Sequence, residues 1–329
     1  MIKVTRRDII LSSAAAFAIF GLDKRVVLIG AAEAQQKAPT AAGVKPYARF
    51  SVGKLQVTNI YDGVWEKPHD SAFIKNASID DVKKALKAAK LTDAHVPIPF
   101  TVTVVNTGKN LVMFDAGTGA QLAPTAGKMT DNMKAAKIDA AKIDTIIITH
   151  FHPDHIFGLM AKDTNAPVFP NAKIIVPENE YKFWTDPGLL AKTPEARQGL
   201  IKRIQAVFPG WKEKGVITFT QAGKDVLPGI KTVDTSGHTP GHVSYHISSG
   251  KAQFMVLGDV TNMAVLFAKN PGWHAAFDVD PVLAEKNRRA TFDRAIADKI
   301  LLAGYHWGMP GAGTLKKDGQ GYALVPVKA

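Results

Sequence analysis

Apolar and polar residues alternate along two stretches of the chain in the manner of β-hairpins. Residues 48–63, ARFSVGKLQVTNIYDG, alternate on both sides of Gly53-Lys54, and residues 100–117, FTVTVVNTGKNLVMFDAG, do so around Thr107-Gly108. DTIIIT (144–149) is a short, largely apolar run of the buried-strand type. KIIVP (173–177), GVITFT (215–220), IKTVDT (230–235), VSYHIS (243–248) and AQFMVLGD (252–259) continue the strand series. Helical spacing with Asp80 and Asp81 in the first turn predicts a helix from Ile79, and further helices are expected near 177–186, 195–207 and 281–300. No period of 20–50 residues repeats, which excludes a solenoid or propeller. Strands mixed with helices throughout predict a layered α/β protein.

The first residues follow a different pattern. Arg6 and Arg7 precede an apolar stretch from Ile9 to Phe20, too short to cross a bilayer as a helix. Ala32-Glu33-Ala34 then offers a small-x-small cleavage signal, although Asp23, Lys24 and Arg25 interrupt the segment before it. Adjacent arginines ahead of a short apolar core resemble a twin-arginine export signal. Residues 1–34 are therefore expected to be a signal peptide read by the twin-arginine export machinery, with the mature protein in the bacterial periplasm and no membrane anchor after cleavage. Residues 35–46, Ala/Pro-rich and polar, read as a linker, and 47–329 as a single catalytic domain.

The charge balance is basic, +12 from 41 Lys and Arg against 29 Asp and Glu. These cations are spread along the expected helices, as in DVKKALKAAK, and no compact basic run with interleaved aromatics occurs. Solvated helix faces account for them, and a nucleic-acid partner is not expected. The chain has no cysteine, which rules out disulfides and thiolate metal ligands.

One segment does not fit a core. In TIIITHFHPDHIFGLM (145–160), three of the ten histidines and an aspartate fall within six residues directly after the apolar run. His150 and His152 are two apart, so in extended backbone their rings share a side. Pro153 suits the first position of a helix, which would carry Asp154 and His155 in its first turn. Imidazole and carboxylate together suit zinc, manganese, iron or cobalt. Three more candidates stand just past apolar runs and a small residue: His238 in KTVDTSGHTPGH, Asp259 in AQFMVLGDV and His306 in LLAGYHWGMPGAG. His69, His95, His246 and His274 have no ligand-like neighbours and read as structural or surface residues. Asp278 and Asp280 read as capping or packing residues ahead of the last helix.

With these motifs in place, the chain resembles the metallo-β-lactamase fold superfamily over essentially its whole mature length. HxHxDH stands at 150–155, GHTPGH at 237–242, Gly-Asp at 258–259 and the final histidine at 306. The likeness is nearest to the branch of methyl parathion hydrolase and related periplasmic lactonases and esterases. It implies a four-layer αββα sandwich with two divalent metal ions, zinc in the first instance, between the sheets. By the same likeness His150, His152 and His238 would hold one ion. Asp154, His155 and His306 would hold the other, with Asp259 bridging both. His242 would orient its loop, and Asp115 would support a ligand histidine. The implied function is hydrolysis of small neutral esters, lactones or phosphotriesters by a hydroxide generated on the metals, with Asp259 positioning the pair and Asp154 moving the proton. Phe73, Phe100, Phe183, Trp184, Phe208 and Trp211 are candidates to surround a small-molecule cleft, Phe183 and Trp184 by overhanging it. An iron-dependent thiol or sulfur oxidoreductase and a nuclease of the same fold are the alternatives, and a homodimer stays open as the assembly.

Overall fold

The computed structural model describes residues 43–329, so the expected signal peptide and most of the linker lie outside the described residues. The chain builds one sheet after the other. The first sheet has the order β1-β2-β3-β4-β5-β6-β7: β1 (Tyr47–Val52), β2 (Leu55–Lys67), β3 (Val96–Asn106), β4 (Leu111–Phe114), β5 (Thr145–Ile147), β6 (Lys173–Pro177) and β7 (Ile217–Thr220). The second runs β14-β13-β12-β11-β10-β9-β8: β8 (Asp225–Leu227), β9 (Ile230–Asp234), β10 (Val243–Ser249), β11 (Ala252–Val256), β12 (Leu301–Ala303), β13 (Ala312–Asp318) and β14 (Gly321–Pro326). Among the described residues seven α-helices accompany them: α1 (Ile79–Ala88), α2 (Met129–Ala135), α3 (Pro153–Ile156), α4 (Glu178–Thr185), α5 (Pro187–Lys192), α6 (Gly199–Glu213) and α7 (Pro281–Ala297).

Both expected hairpins form, with Val52 opposite Leu55 and Asn106 opposite Leu111. Strands β4 to β7 then pair in parallel, as do β11 and β12. Their connections place α-helices outside each sheet. The inner faces meet in an apolar layer of Val57, Val105, Phe114 and Ile147 against Tyr245, Ile247, Phe254 and Val256, all fully or nearly fully buried. Each such side chain contributes about 1.5–3 kcal/mol by leaving water. The Phe114 and Tyr245 rings lie 5.5 Å apart across the two sheets, and Tyr245 Oη donates to Ile148 O at 2.7 Å. The other face of the first sheet packs on α1, α2 and α6 through Leu86, Met133, Ile204 and Phe208. The outer face of the second packs on α7 through Phe292 and Ala295. The result is the four-layer αββα sandwich.

The hairpin β13–β14 was not expected, because AGTLKKDGQGYALVP (312–326) has few large apolar residues. Its strands are recognisable from their pairing, Gly313 to Pro326 through Asp318 to Gly321. Helix α6 runs to Glu213 through an internal Pro209, past the expected end near 207. No helix of the described residues is long and apolar enough to cross a membrane.

A candidate metal centre at the strand ends

The parallel strands deliver their C-terminal ends to one edge of the sandwich, where irregular backbone can turn side chains inward. His150 and His152 follow β5, His238 follows β9, Asp259 follows β11 and His306 follows β12. Pro153 occupies the first turn of α3, and Asp154 and His155 fall within that helix. All seven residues singled out as ligands converge. They form three overlapping groups, His150/His152/His238, His150/His155/Asp259 and Asp154/His155/His306, each with its donor atoms within 4.8 Å of one another.

Hydrogen bonds on the far side of four of the five rings fix which nitrogen faces inward. Asp115 accepts from His155 Nδ1 at 2.8 Å, Asp278 from His238 Nδ1 at 2.8 Å and Pro99 O from His306 Nδ1 at 2.8 Å. Thr149 Oγ1 gives its proton to Asp115, 2.9 Å away, and so accepts from His150 Nδ1 at 3.0 Å. These bonds turn Nε2 of His150, His155, His238 and His306 inward, the arrangement that orients metal-binding histidines. His150 Nε2 and His238 Nε2 stand 3.0 and 2.8 Å from His152 Nδ1. One shared proton cannot satisfy three nitrogens that face one point; a cation can.

Protonation equilibria are set by the same crowding. Burial, reinforced by neighbouring imidazoles, holds His150 and His152 well below the usual histidine range, hence neutral. Burial also opposes charge on His155, but Asp154, Asp259 and Asp115 outweigh it and push its pKa well up. Burial opposes charge on Asp259 in turn, and His306 and His155 overcome it, keeping that carboxyl well below its usual range.

The donor set fits a metal on a further count. His155 Nε2 and Asp259 Oδ1 are buried, have no hydrogen-bond partner and lie 3.3 Å apart. Orphaned buried polar atoms are costly, and a divalent ion satisfies both. Neutral imidazole and carboxylate without thiolate is a ligand set suited to zinc, manganese, iron or cobalt.

Several supporting residues were legible and others were not. His242 does not point its ring at the ligand groups as a further donor: its Nε2 accepts the backbone N–H of Asp259 at 2.9 Å, and burial followed by His238 brings its pKa down to about 3. Gly258 must be glycine here, since its φ is +57° and a Cβ would meet His242 Nε2 at 2.7 Å. Asp115 supports His155 while held at φ +60° itself. Asp280 caps α7 through Leu283 N, as expected, but Asp278 holds His238, a role its sequence context does not reveal. His69, His246 and His274 bond to Asp93 O, Gln253 and Glu285, away from the centre.

The aromatic expectation needs correction. The cleft over the ligands is lined by Trp65, Ile98, Phe100, Phe277 and Asn262 beside His152, Asp154, Asp259 and His306. Of the six aromatics expected there, Phe100 alone lines it. Phe73, Trp184, Phe208 and Trp211 are buried in the helix-side core, and Phe183 packs against it. Trp184 lies on the inward stripe of α4, where a buried indole needs a partner, and its Nε1 donates to Glu180 at 2.6 Å. Trp65 lies beyond the alternating hairpin pattern of residues 48–63, because β2 continues to Lys67.

A four-layer α/β sandwich carrying a histidine–aspartate centre at its strand ends defines a class of metal-dependent hydrolases. Residues 99–302 match the Metallo-beta-lactamase superfamily, and the chain belongs to that family. Among solved structures it is similar to the hydrolase AbOPH of the beta lactamase superfamily, with 28% identity, TM-score 0.79, and 87% of this chain and 99% of that one covered. It is likewise similar to AidC, a dizinc quorum-quenching lactonase solved with its product N-hexanoyl-L-homoserine. There the identity is 25%, the TM-score 0.79 and the coverage 86% and 98%. A structure described as a probable metal-dependent hydrolase from Staphylococcus aureus shares the fold at 19% identity and TM-score 0.63, with 85% and 100% covered. No curated protein sequence gives a significant match.

Proposed function

We propose that this metal-dependent hydrolase is dinuclear and acts on small neutral esters and lactones, with phosphotriesters as further candidates. The observation that carries the reading is the reach of one carboxylate. Asp259 Oδ2 lies 3.3 Å from His238 Nε2 and 3.0 Å from His306 Nε2, and its Oδ1 lies 3.3 Å from His155 Nε2. It therefore touches histidines of both ligand groups, as a bridge between two ions must. His150, His152 and His238 would hold one ion, and Asp154, His155 and His306 the other. When bound, such a pair lowers the pKa of water and polarises a carbonyl or phosphoryl oxygen.

The chain's own residues supply the rest. Asp154 faces the cleft with its Oδ2 3.3 Å from His155 Nε2 and 3.5 Å from His306 Nε2. Tyr305 Oη fixes it from behind, donating to Asp154 O at 2.6 Å. Burial works against its charge, but His155 and then His306 keep its pKa below the usual value, so it stands ionised and would accept the proton that the attacking water gives up as its oxygen bonds to the carbonyl carbon. That proton passes to the leaving oxygen when the ester C–O bond breaks. Asn262 Oδ1 accepts from Met263 N at 2.9 Å, which leaves the amide NH2 to donate to a substrate oxygen in the cleft.

The wall of Trp65, Ile98, Phe100 and Phe277 includes no lysine or arginine, which favours neutral, partly apolar substrates over polyanions. The likeness to a lactonase solved with an acyl-homoserine product supports the same substrate class. A hydrolysis screen of the zinc- or manganese-loaded protein tests this. Aryl esters or acyl-homoserine lactones should be turned over, with activity lost to a chelator and restored by metal, and a β-lactam should be a poor substrate. Inactivity toward esters, lactones and phosphotriesters in a fully metal-loaded preparation would overturn the reading.

A further inference from the structure

Glu180 is fully buried on α4 and accepts four hydrogen bonds. Its two oxygens divide them by origin. Oε1 takes Phe151 N at 2.9 Å and Trp184 Nε1 at 2.6 Å. Oε2 takes Thr239 Oγ1 at 2.7 Å and Gly241 N at 3.0 Å. Phe151 is the residue between His150 and His152, Thr239 follows His238, and the Trp184 ring meets the His152 ring edge-on at 5.9 Å. One carboxylate thus clasps both loops that supply His150, His152 and His238. Gly241 makes the clasp close: a Cβ there would stand 2.0 Å from Glu180 N.

The opposite group is held by other means. Ala116 N donates to His155 O at 2.8 Å, Tyr305 Oη to Asp154 O at 2.6 Å and His306 Nδ1 to Pro99 O at 2.8 Å. None of these contacts involves α4. We infer that Glu180 is a positioning residue that sets the geometry, and so the metal affinity, of the His150/His152/His238 group without setting that of the Asp154/His155/His306 group. Four donors aimed at a buried site need an acceptor on both oxygens, and a carboxylate is the side chain that offers this. A glutamine turned either way sets its NH2 against one pair of donors, and a backbone N–H in that pair loses its partner.

The inference rests on the two-group reading above, and the test separates them. The number of ions bound by the unaltered protein reports on that reading. Glu180 is tested by zinc affinity, measured by competition with a chromophoric chelator, in two single-group backgrounds. In H306A, where the His150 group remains whole, adding E180Q should weaken zinc binding about 10–100-fold, the usual cost of losing a residue that orients ligands. In H238A the same addition should change affinity less than about 3-fold. T239V, which deletes one donor with little change of shape, provides a milder version if E180Q does not fold. It should weaken binding in H306A more than in H238A. Equal losses in both backgrounds would make Glu180 a general structural residue, and no loss in either would remove it from the metal centre; both outcomes overturn the inference.

Discussion

His242 Nε2 accepts the backbone N–H of Asp259 at 2.9 Å, while its Nδ1 side is held by Thr235, whose carbonyl oxygen lies 3.1 Å away. The imidazole is thus spent on placing the backbone of a proposed ligand. Asp259→Ala removes the carboxylate that reaches both groups and should abolish hydrolysis with loss of bound metal. His242→Ala leaves the carboxylate and removes only its backbone anchor, with an expected cost of about 10–100-fold in activity. Metal content and kcat/KM of the two variants, measured side by side, check this; equal damage would mean that His242 is itself a ligand.

Trp184 belongs to the core, so its replacement should be read in stability. Trp184→Ala should lower unfolding free energy by about 3–5 kcal/mol. Trp184→Phe keeps the ring but drops one hydrogen bond to a carboxylate, and should cost about 1.5–3 kcal/mol. Denaturant titration measures both. Unchanged stability with a raised KM for bulky aryl substrates would return Trp184 to the substrate cleft.

Asn262 and Phe277 make a contrasting pair on the cleft wall. Asn262→Ala should leave metal content intact and lower kcat/KM about 10-fold or more through the lost donor, with little dependence on the apolar part of the substrate. Phe277→Ala should raise KM more for long acyl or aryl groups than for short ones. Steady-state kinetics on a substrate series distinguishes them, and identical profiles would count against assigning the two residues different contacts.

The residues that converge at the candidate centre are readable because each announces itself locally: an apolar run ends, a small or turning residue follows, and a histidine or aspartate stands where a core would reject it. The layers were readable from the apolar alternation of β1 to β4 and the short runs of β5 to β7. What stayed hidden depends on contacts distant in sequence. Nothing around Asp278 signals a partner 40 residues away in His238, and nothing in ENEYKFW signals that Glu180 reaches Gly241 across 61 residues. Cleft aromatics were misassigned for the same reason. Trp65 and Trp184 both flank polar and apolar neighbours in sequence, and the packing of α4 alone decides that Trp184 turns inward.

Asp62, outside the proposed ligand groups, gives a pH prediction. Its carboxyl is buried against Thr118 and Met129, and burial outweighs their hydrogen bonds, raising the pKa from 3.8 to about 6. A raised carboxyl pKa means that the folded state binds the proton more tightly. Its contribution is fully present below the unfolded value and is lost as pH rises through about 6. The span corresponds to about 3 kcal/mol. The stability advantage of the unaltered protein over Asp62→Asn, both metal-free, should shrink by roughly this amount between pH 4 and pH 7. An advantage that grows with pH would mean that the three donated hydrogen bonds outweigh burial.

The most direct test of the dinuclear centre is the metal count. Elemental analysis of protein purified without chelator and equilibrated with excess zinc or manganese, then freed of loose ions, should give two ions per chain. Asp259→Ala should fall below that number. A well-folded preparation that takes up no more than one ion under metal excess would contradict the bridging role of Asp259 and the mechanism built on it.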